Sequence, residues 1–299
     1  MPINDNNNHR KPDIPMIVGV SITVVAITLG FTLLAASLLL TSSNNNGIQQ
    51  PSLPILNANA QEMMTTTTTL SSSFSSNCNA PPAPHIDLHG CNLSHANLTD
   101  ADLSGANLSH ANLTNADLDD ADLTDANLNG TDLSGANLEE ALLTNANLAN
   151  ADMQNAILDD ADLPYALLIH ANLDDAKLGF ADLSHANLTN ANLDDVNLFE
   201  ADLIGALLIN ANLNDVNLQF ADLTNASLSN ANLDDANLDD AKLDDADLTG
   251  ALLTDDLLTN ADLKNADLTN ASLTNTNLDD ANLVGTLANA THFNFLKMK

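Results

Sequence analysis

The chain has 299 residues with 40 Asp and Glu against 7 Lys and Arg, a formal net charge of -33. Direct nucleic-acid binding is disfavoured, because phosphates would be repelled. The same field attracts cations or a basic protein, although acids also serve simply to keep a molecule soluble and monomeric.

Residues 1–13 form a polar flank containing Arg10 and Lys11, and no charge appears between Asp13 and Glu62. Residues 14–41 hold a predominantly apolar run, 16–40. As a helix this run is about 37 Å long, enough to cross a hydrocarbon core of about 30 Å. It is read as one N-terminal transmembrane helix. Signal peptides have shorter apolar regions, about 7–15 residues, so an uncleaved anchor is favoured. Ala58-Asn59-Ala60 resembles a cleavage site and supplies the alternative, secretion after signal cleavage. Arg10 and Lys11 precede the run and nothing basic follows nearby. A single-pass topology follows, with the N-terminus cytoplasmic and the remainder extracytoplasmic.

Residues 42–85 are rich in Ser, Thr, Asn and Pro and read as a disordered stalk. As a random coil they reach about 36 Å root-mean-square.

Residues 86–283 repeat one five-residue pattern without insertion or deletion, as in Ala101-Asp102-Leu103-Ser104-Gly105. Every fifth residue from Leu88 to Leu283 is Leu except Met153, and two residues earlier 33 of the 40 positions are Ala. A step of five on an α-helix would spiral the Leu column around the whole circumference. Ala and Leu instead bracket one polar residue, the alternation of an extended chain with both apolar residues inside. The two following residues are mostly Asp, Asn, Ser, Thr or Gly, the turn formers. Each repeat is one short side and one corner.

Ala106-Asn107-Leu108-Ser109-His110 and Ala231-Asn232-Leu233-Asp234-Asp235 resemble the pentapeptide-repeat family. The resemblance implies an all-β solenoid, a right-handed quadrilateral β-helix with four repeats per coil, hence about ten coils and a rod about 48 Å long. Sorting outward positions at a period of twenty supports that coil. On the side of Leu88, Leu108 and Leu128 no corner pair carries an acid, whereas eight of nine acidic doublets fall on two other sides. On the side of Leu103, Asp162, Asp182, Asp202 and Asp222 are consecutive. Residues 166–198 also match residues 206–238, a shift of two coils.

Residues 284–299 abandon the pattern and gather Leu287, Phe293, Phe295 and Leu296. They read as a C-terminal cap over an otherwise exposed coil end, with a homodimer contact through that end as the competing role. Asp256 occupies an inward position, where a carboxylate is penalised, so distortion is expected at Asp255-Asp256-Leu257. Cys78 and Cys91, the two cysteines, are candidates for a disulfide that clamps the stalk over the first coil. The other reading makes Cys91 a small core residue and Cys78 incidental.

No catalytic constellation stands out: His95, His110, His170 and His185 lie at scattered corners and no insertion builds a pocket. No cofactor site and no converging metal site are read. Acidic columns would hold divalent cations only weakly. One feature exceeds what solubility needs: the corners Gly179-Phe180, Phe199-Glu200 and Gln219-Phe220 put three aromatics into a column with Asp159 and Asp160 before it and Asp239 and Asp240 after it. These seven residues, Phe180, Phe199, Phe220, Asp159, Asp160, Asp239 and Asp240, form the candidate interaction patch.

The sequence therefore points to a non-enzymatic, membrane-tethered rod acting as an extracytoplasmic structural or protein-interaction scaffold, with a basic protein as expected partner. The family resemblance supplies the alternative, a DNA-mimicking protein that binds type II topoisomerase.

Overall fold

A computed structural model describes residues 77–288. The apolar run 16–40, residues 42–76 of the stalk, and Phe293, Phe295 and Leu296 of the cap lie outside the described residues. Among the described residues no helix is long and apolar enough to cross a membrane.

The chain winds as a four-sided solenoid. The central residue of every repeat forms a parallel bridge with the residue twenty positions on, from Asp87 with Asn107 through to Asp267 with Leu287. The twenty-residue coil is thus visible as four bridge columns. Side 1 is defined here by Leu88, side 2 by Leu93, side 3 by Leu98 and side 4 by Leu103, each recurring every twenty residues. The bridge pattern and the left-handed corner continue to Gly285 and Leu287, one repeat beyond the sequence periodicity. Backbone pairing needs no Leu or Ala, so it outlasts the consensus.

Each repeat uses its amides systematically. Asn107 N–H donates to the Ile86 carbonyl at 2.8 Å, and Leu88 N–H donates to the Asn107 carbonyl at 2.8 Å. Gly90 N–H reaches the Ser109 carbonyl at 2.9 Å, and Cys91 N–H closes the corner onto the Leu88 carbonyl at 3.0 Å. The first corner residue's N–H remains, and the central Asp or Asn takes it: Thr114 N–H donates to Asn112 Oδ1 at 2.9 Å and Ser184 N–H to Asp182 Oδ1 at 2.8 Å. Outward Asp and Asn are therefore corner caps as well as solubilising groups. Where the column is Asn on Asn the amides also link coils, as from Asn192 to Asn172 at 3.0 Å and from Asn212 to Asn192 at 2.8 Å.

Every second corner residue from His85 to Gly285 has φ between 52° and 80°. That left-handed region suits Gly, Asn and Asp, and most corners carry one of them. Inside, Leu stacks on Leu and Ala on Ala, almost all buried. Thr131 is tolerated there because its hydroxyl donates to the Leu108 carbonyl at 2.7 Å.

Asp256 is buried, as its inward position implies. Its Oδ1 accepts the Ala236 N–H at 3.0 Å, while Oδ2 has no partner. The corner before it is a bend rather than a hydrogen-bonded turn, and the Leu253 carbonyl accepts the Thr276 hydroxyl. Burial pushes the Asp256 carboxyl up to about 8, reinforced by the charges of Asp234, Asp235 and Asp255.

Cys78 and Cys91 are disulfide-bonded, with Cα atoms 5.4 Å apart and 13 residues of separation. The bond ties residues just before the first coil onto the buried Cys91. Reduction is expected to lower the stability of this end by about 2 kcal/mol. Amide exchange in residues 77–100 should accelerate while coils beyond residue 140 keep their rates, because a solenoid unit contacts only its neighbours. Uniform acceleration along the rod would contradict this.

Candidate functional site

The three phenylalanines meet on the edge between sides 3 and 4. Phe180 and Phe199 have ring centroids 5.6 Å apart at 79°, and Phe199 and Phe220 are 5.7 Å apart at 82°. Both contacts are edge-to-face, the favoured aromatic arrangement, each worth about 0.5–1.5 kcal/mol. The cluster is nevertheless wet, with Phe180 53% and Phe220 46% exposed. Phe180 and Phe220 also hold φ of 61° and 62°, where a bulky residue costs about 1 kcal/mol that Asn or Gly would not. Folding therefore does not demand these rings at these corners.

Beside the cluster lies an open groove of about 400 Å³ lined by Glu200, Asp202, Phe220, Asp222 and Lys242. Asp202 and Asp222 belong to the side 4 column, paired as neighbours by their backbone bridge. Lys242 Nζ contacts Asp222 Oδ2 at 2.9 Å, but its side chain is largely exposed, so the pair contributes at most about 1 kcal/mol. Partial burial alone would raise the Asp222 carboxyl. The Thr224 hydroxyl, Lys242 and the Thr224 N–H together hold it below its ordinary value. Chemically the edge offers aromatic faces beside carboxylates, a surface suited to guanidinium or ammonium groups on aliphatic stems.

The flanking acids differ from one another. Asp159 Oδ1 accepts the Gly179 N–H at 2.8 Å, and Asp239 Oδ1 accepts the Thr259 N–H at 2.7 Å. In both repeats the central residue, Lys177 or Leu257, has no oxygen for the usual cap, and the Asp of the preceding coil supplies it. Asp159 and Asp239 are thus partly structural, whereas Asp160 and Asp240 are left-handed corner residues. Asp159→Ala should cost about 1–2 kcal/mol, because the N–H of buried Gly179 loses its acceptor. Asp160→Asn removes no such bond and keeps a side chain suited to its left-handed corner. A chemical-denaturation comparison that found the two variants equal would refute this assignment.

Asp195, on side 2, is also displaced: slight desolvation and then the carboxylates of Asp215, Asp194, Asp175 and Asp174 raise it. Among the described residues no group of three or more His, Cys, Asp or Glu converges to hold a metal ion. His185 stacks on Tyr165 with centroids 5.0 Å apart. Tyr165, at φ 61° and well exposed, escaped the sequence reading because it stands alone in its column. Its signal was an aromatic at a corner position that otherwise takes Gly, Asn, Asp or His.

The chain belongs to the pentapeptide repeat family: the model described as pentapeptide repeats matches eight copies, spanning residues 86–125, 121–160, 158–190, 191–230, 217–255 and 257–294. Membership supplies the right-handed sense of the coil. Among solved structures it is similar to HetL, a pentapeptide repeat protein involved in heterocyst differentiation regulation in the cyanobacterium Nostoc sp. strain PCC 7120. The identity is 35%, over 69% of this chain and 88% of HetL, with a TM-score of 0.38. It is also similar to QnrB1, a plasmid-mediated fluoroquinolone resistance protein, at 18% identity over 65% of this chain and 90% of that one, with a TM-score of 0.38. A comparison with curated proteins gives no match.

Proposed function

We propose that this pentapeptide repeat protein is a non-enzymatic scaffold, tethered to a membrane by residues 14–41 and displayed outside the cytoplasm, which holds a basic partner protein along the Phe180–Phe199–Phe220 edge. The observation that carries the reading is an aromatic cluster on an acidic rod, with exposed Phe180 and Phe220 kept at left-handed corners at a cost in backbone strain. The Cys78–Cys91 disulfide supports an oxidising compartment.

The test is binding of an Arg-rich peptide to wild type and to a Phe180→Asn, Phe199→Asn, Phe220→Asn variant, read by fluorescence anisotropy near physiological salt. The substitutions leave every carboxylate in place, and strain relieved at two corners offsets part of the lost ring contacts. Affinity should drop by about tenfold, the factor for 1.4 kcal/mol. Equal affinities would mean that the rod attracts cations through its net field alone, and the edge would lose its role.

The acidic surface also suits the second reading, a DNA mimic that binds type II topoisomerase. Association with purified topoisomerase that persists in moderate salt would favour it over the scaffold.

A further inference from the structure

The charge of the rod is distributed unevenly over its sides. Within residues 87–285, outward acids number ten on side 2, thirteen on side 3 and ten on side 4, but three on side 1: Asp87, Asp247 and Asp267. Across residues 107–230 side 1 carries no acid at all, while its central positions read Asn107, Asn127, Asn147, Leu167, Asn187, Leu207 and Ser227. Leu167 is 42% and Leu207 38% exposed, and Ile169 and Ile209 stand beside them at the corners.

These leucines displace groups that the fold uses. The amide ladder on side 1 runs from Asn107 to Asp87, Asn127 to Asn107 and Asn147 to Asn127, and reaches Leu167, which offers nothing to continue it. Leu167 and Leu207, like Lys177 and Leu257 on side 3, also lack the oxygen with which a central Asp or Asn caps the first corner N–H. Asp or Asn would serve the rod better at both places.

We propose that side 1 is the contact face for a second copy of this chain, two rods lying side by side with Leu167 and Leu207 at the centre. Two arguments select a second copy. Sides 2, 3 and 4 meet their own image as acid against acid, whereas residues 107–230 of side 1 alone bring two molecules of net charge -33 together over an acid-free strip. The pattern is also symmetric about Asn187, with Leu167 one coil before and Leu207 one coil after. A twofold interface must be self-complementary. With the axis along the rods each Leu meets itself, and with the axis across them Leu167 meets Leu207, Asn187 lying at the centre in both cases. The acid-free length is about seven coils, roughly 34 Å, and one side wide. Such an area falls below that of a standard interface, so the association is weak and concentration-dependent. Added salt should strengthen it, because the charge effect between the rods is repulsion; a complex with a basic partner would weaken instead.

The experiment uses full-length protein in detergent, with Asn187→Cys treated with a short bismaleimide and Asn237→Cys on side 3 as control. Cross-linked dimer from Asn187→Cys should exceed the control at least about tenfold, and adding Leu167→Asp with Leu207→Asp should remove that excess. Asp is the commonest residue at such positions on side 4, so folding is retained, which circular dichroism checks. Equal cross-linking from both sides, none from either, or a dimer that survives the two Asp substitutions each overturns the proposal.

Discussion

Asp256→Ala should stabilise the rod by about 3 kcal/mol at pH 7, against the usual destabilising sign of point substitutions. The side chain is buried with one carboxyl oxygen unpartnered, and the corner before it lacks the turn that Ala permits elsewhere. Its pKa rises from 3.8 to about 8 on folding. A folded-state pKa above the unfolded one means that the folded chain retains a proton which the unfolded chain has released. The Asp256 contribution is therefore most favourable below about pH 4 and is lost as pH rises to about 8. The advantage of the Ala variant should accordingly widen between pH 5 and pH 8, by up to about 1.4 kcal/mol per unit. Asp256→Asn separates the causes, since it removes the titration but keeps a polar amide inside. Urea denaturation at several pH values checks all three chains. A gap that is absent or independent of pH would show that the carboxyl finds water or a partner after local rearrangement.

Leu203→Ala is expected to act in the opposite direction, costing about 2–5 kcal/mol. Leu203 is fully buried on side 4, with the central bridges of Asp202 to Asp182 and Asp222 immediately beside it. Neighbouring Leu side chains are held by backbone ladders above and below, so they cannot collapse far into the vacated space. Because each coil contacts only its neighbours, the loss should appear as faster amide exchange over residues 180–225, the stretch that presents the aromatic edge and Leu207 of side 1. Met153 occupies the same kind of position while fully buried, so Leu203→Met should cost less than about 1.5 kcal/mol. An Ala variant as stable as the Met variant would mean that the Leu column is not what sets the stability of the rod.

Both predictions rest on features of very different legibility. The inward columns, the outward Asp and the twenty-residue coil are readable because an uninterrupted five-residue period puts chemically opposite residues on opposite faces. The Phe180, Phe199 and Phe220 cluster is readable for the same reason: once coils are stacked, column neighbours become spatial neighbours. The second function of Asp and Asn was hidden. That Asn112 caps Thr114 N–H, or that Asp159 replaces the missing cap for Gly179, depends on where a carboxyl oxygen lies relative to one amide, and residue identity alone does not report it. The sequence also shows that corners are turns without showing that every second corner residue is left-handed. Only with that geometry do Tyr165, Phe180 and Phe220 become residues held against a backbone preference. Side 1 was legible as acid-free corners, but the exposure of Leu167 and Leu207 together with the interrupted amide ladder required coordinates.

The central claim is that the acidic rod is displayed outside the cytoplasm on a membrane tether. Protease treatment of intact cells producing the full-length chain, followed by mass spectrometry of released and retained fragments, tests it most directly. The account predicts release of the folded repeats as one resistant fragment, with cleavage in residues 42–85 and retention of residues 14–41 with the membrane. A chain wholly protected in intact cells but cut after lysis would contradict it, place the repeats beside cytoplasmic enzymes, and leave the topoisomerase-binding alternative as the reading to pursue.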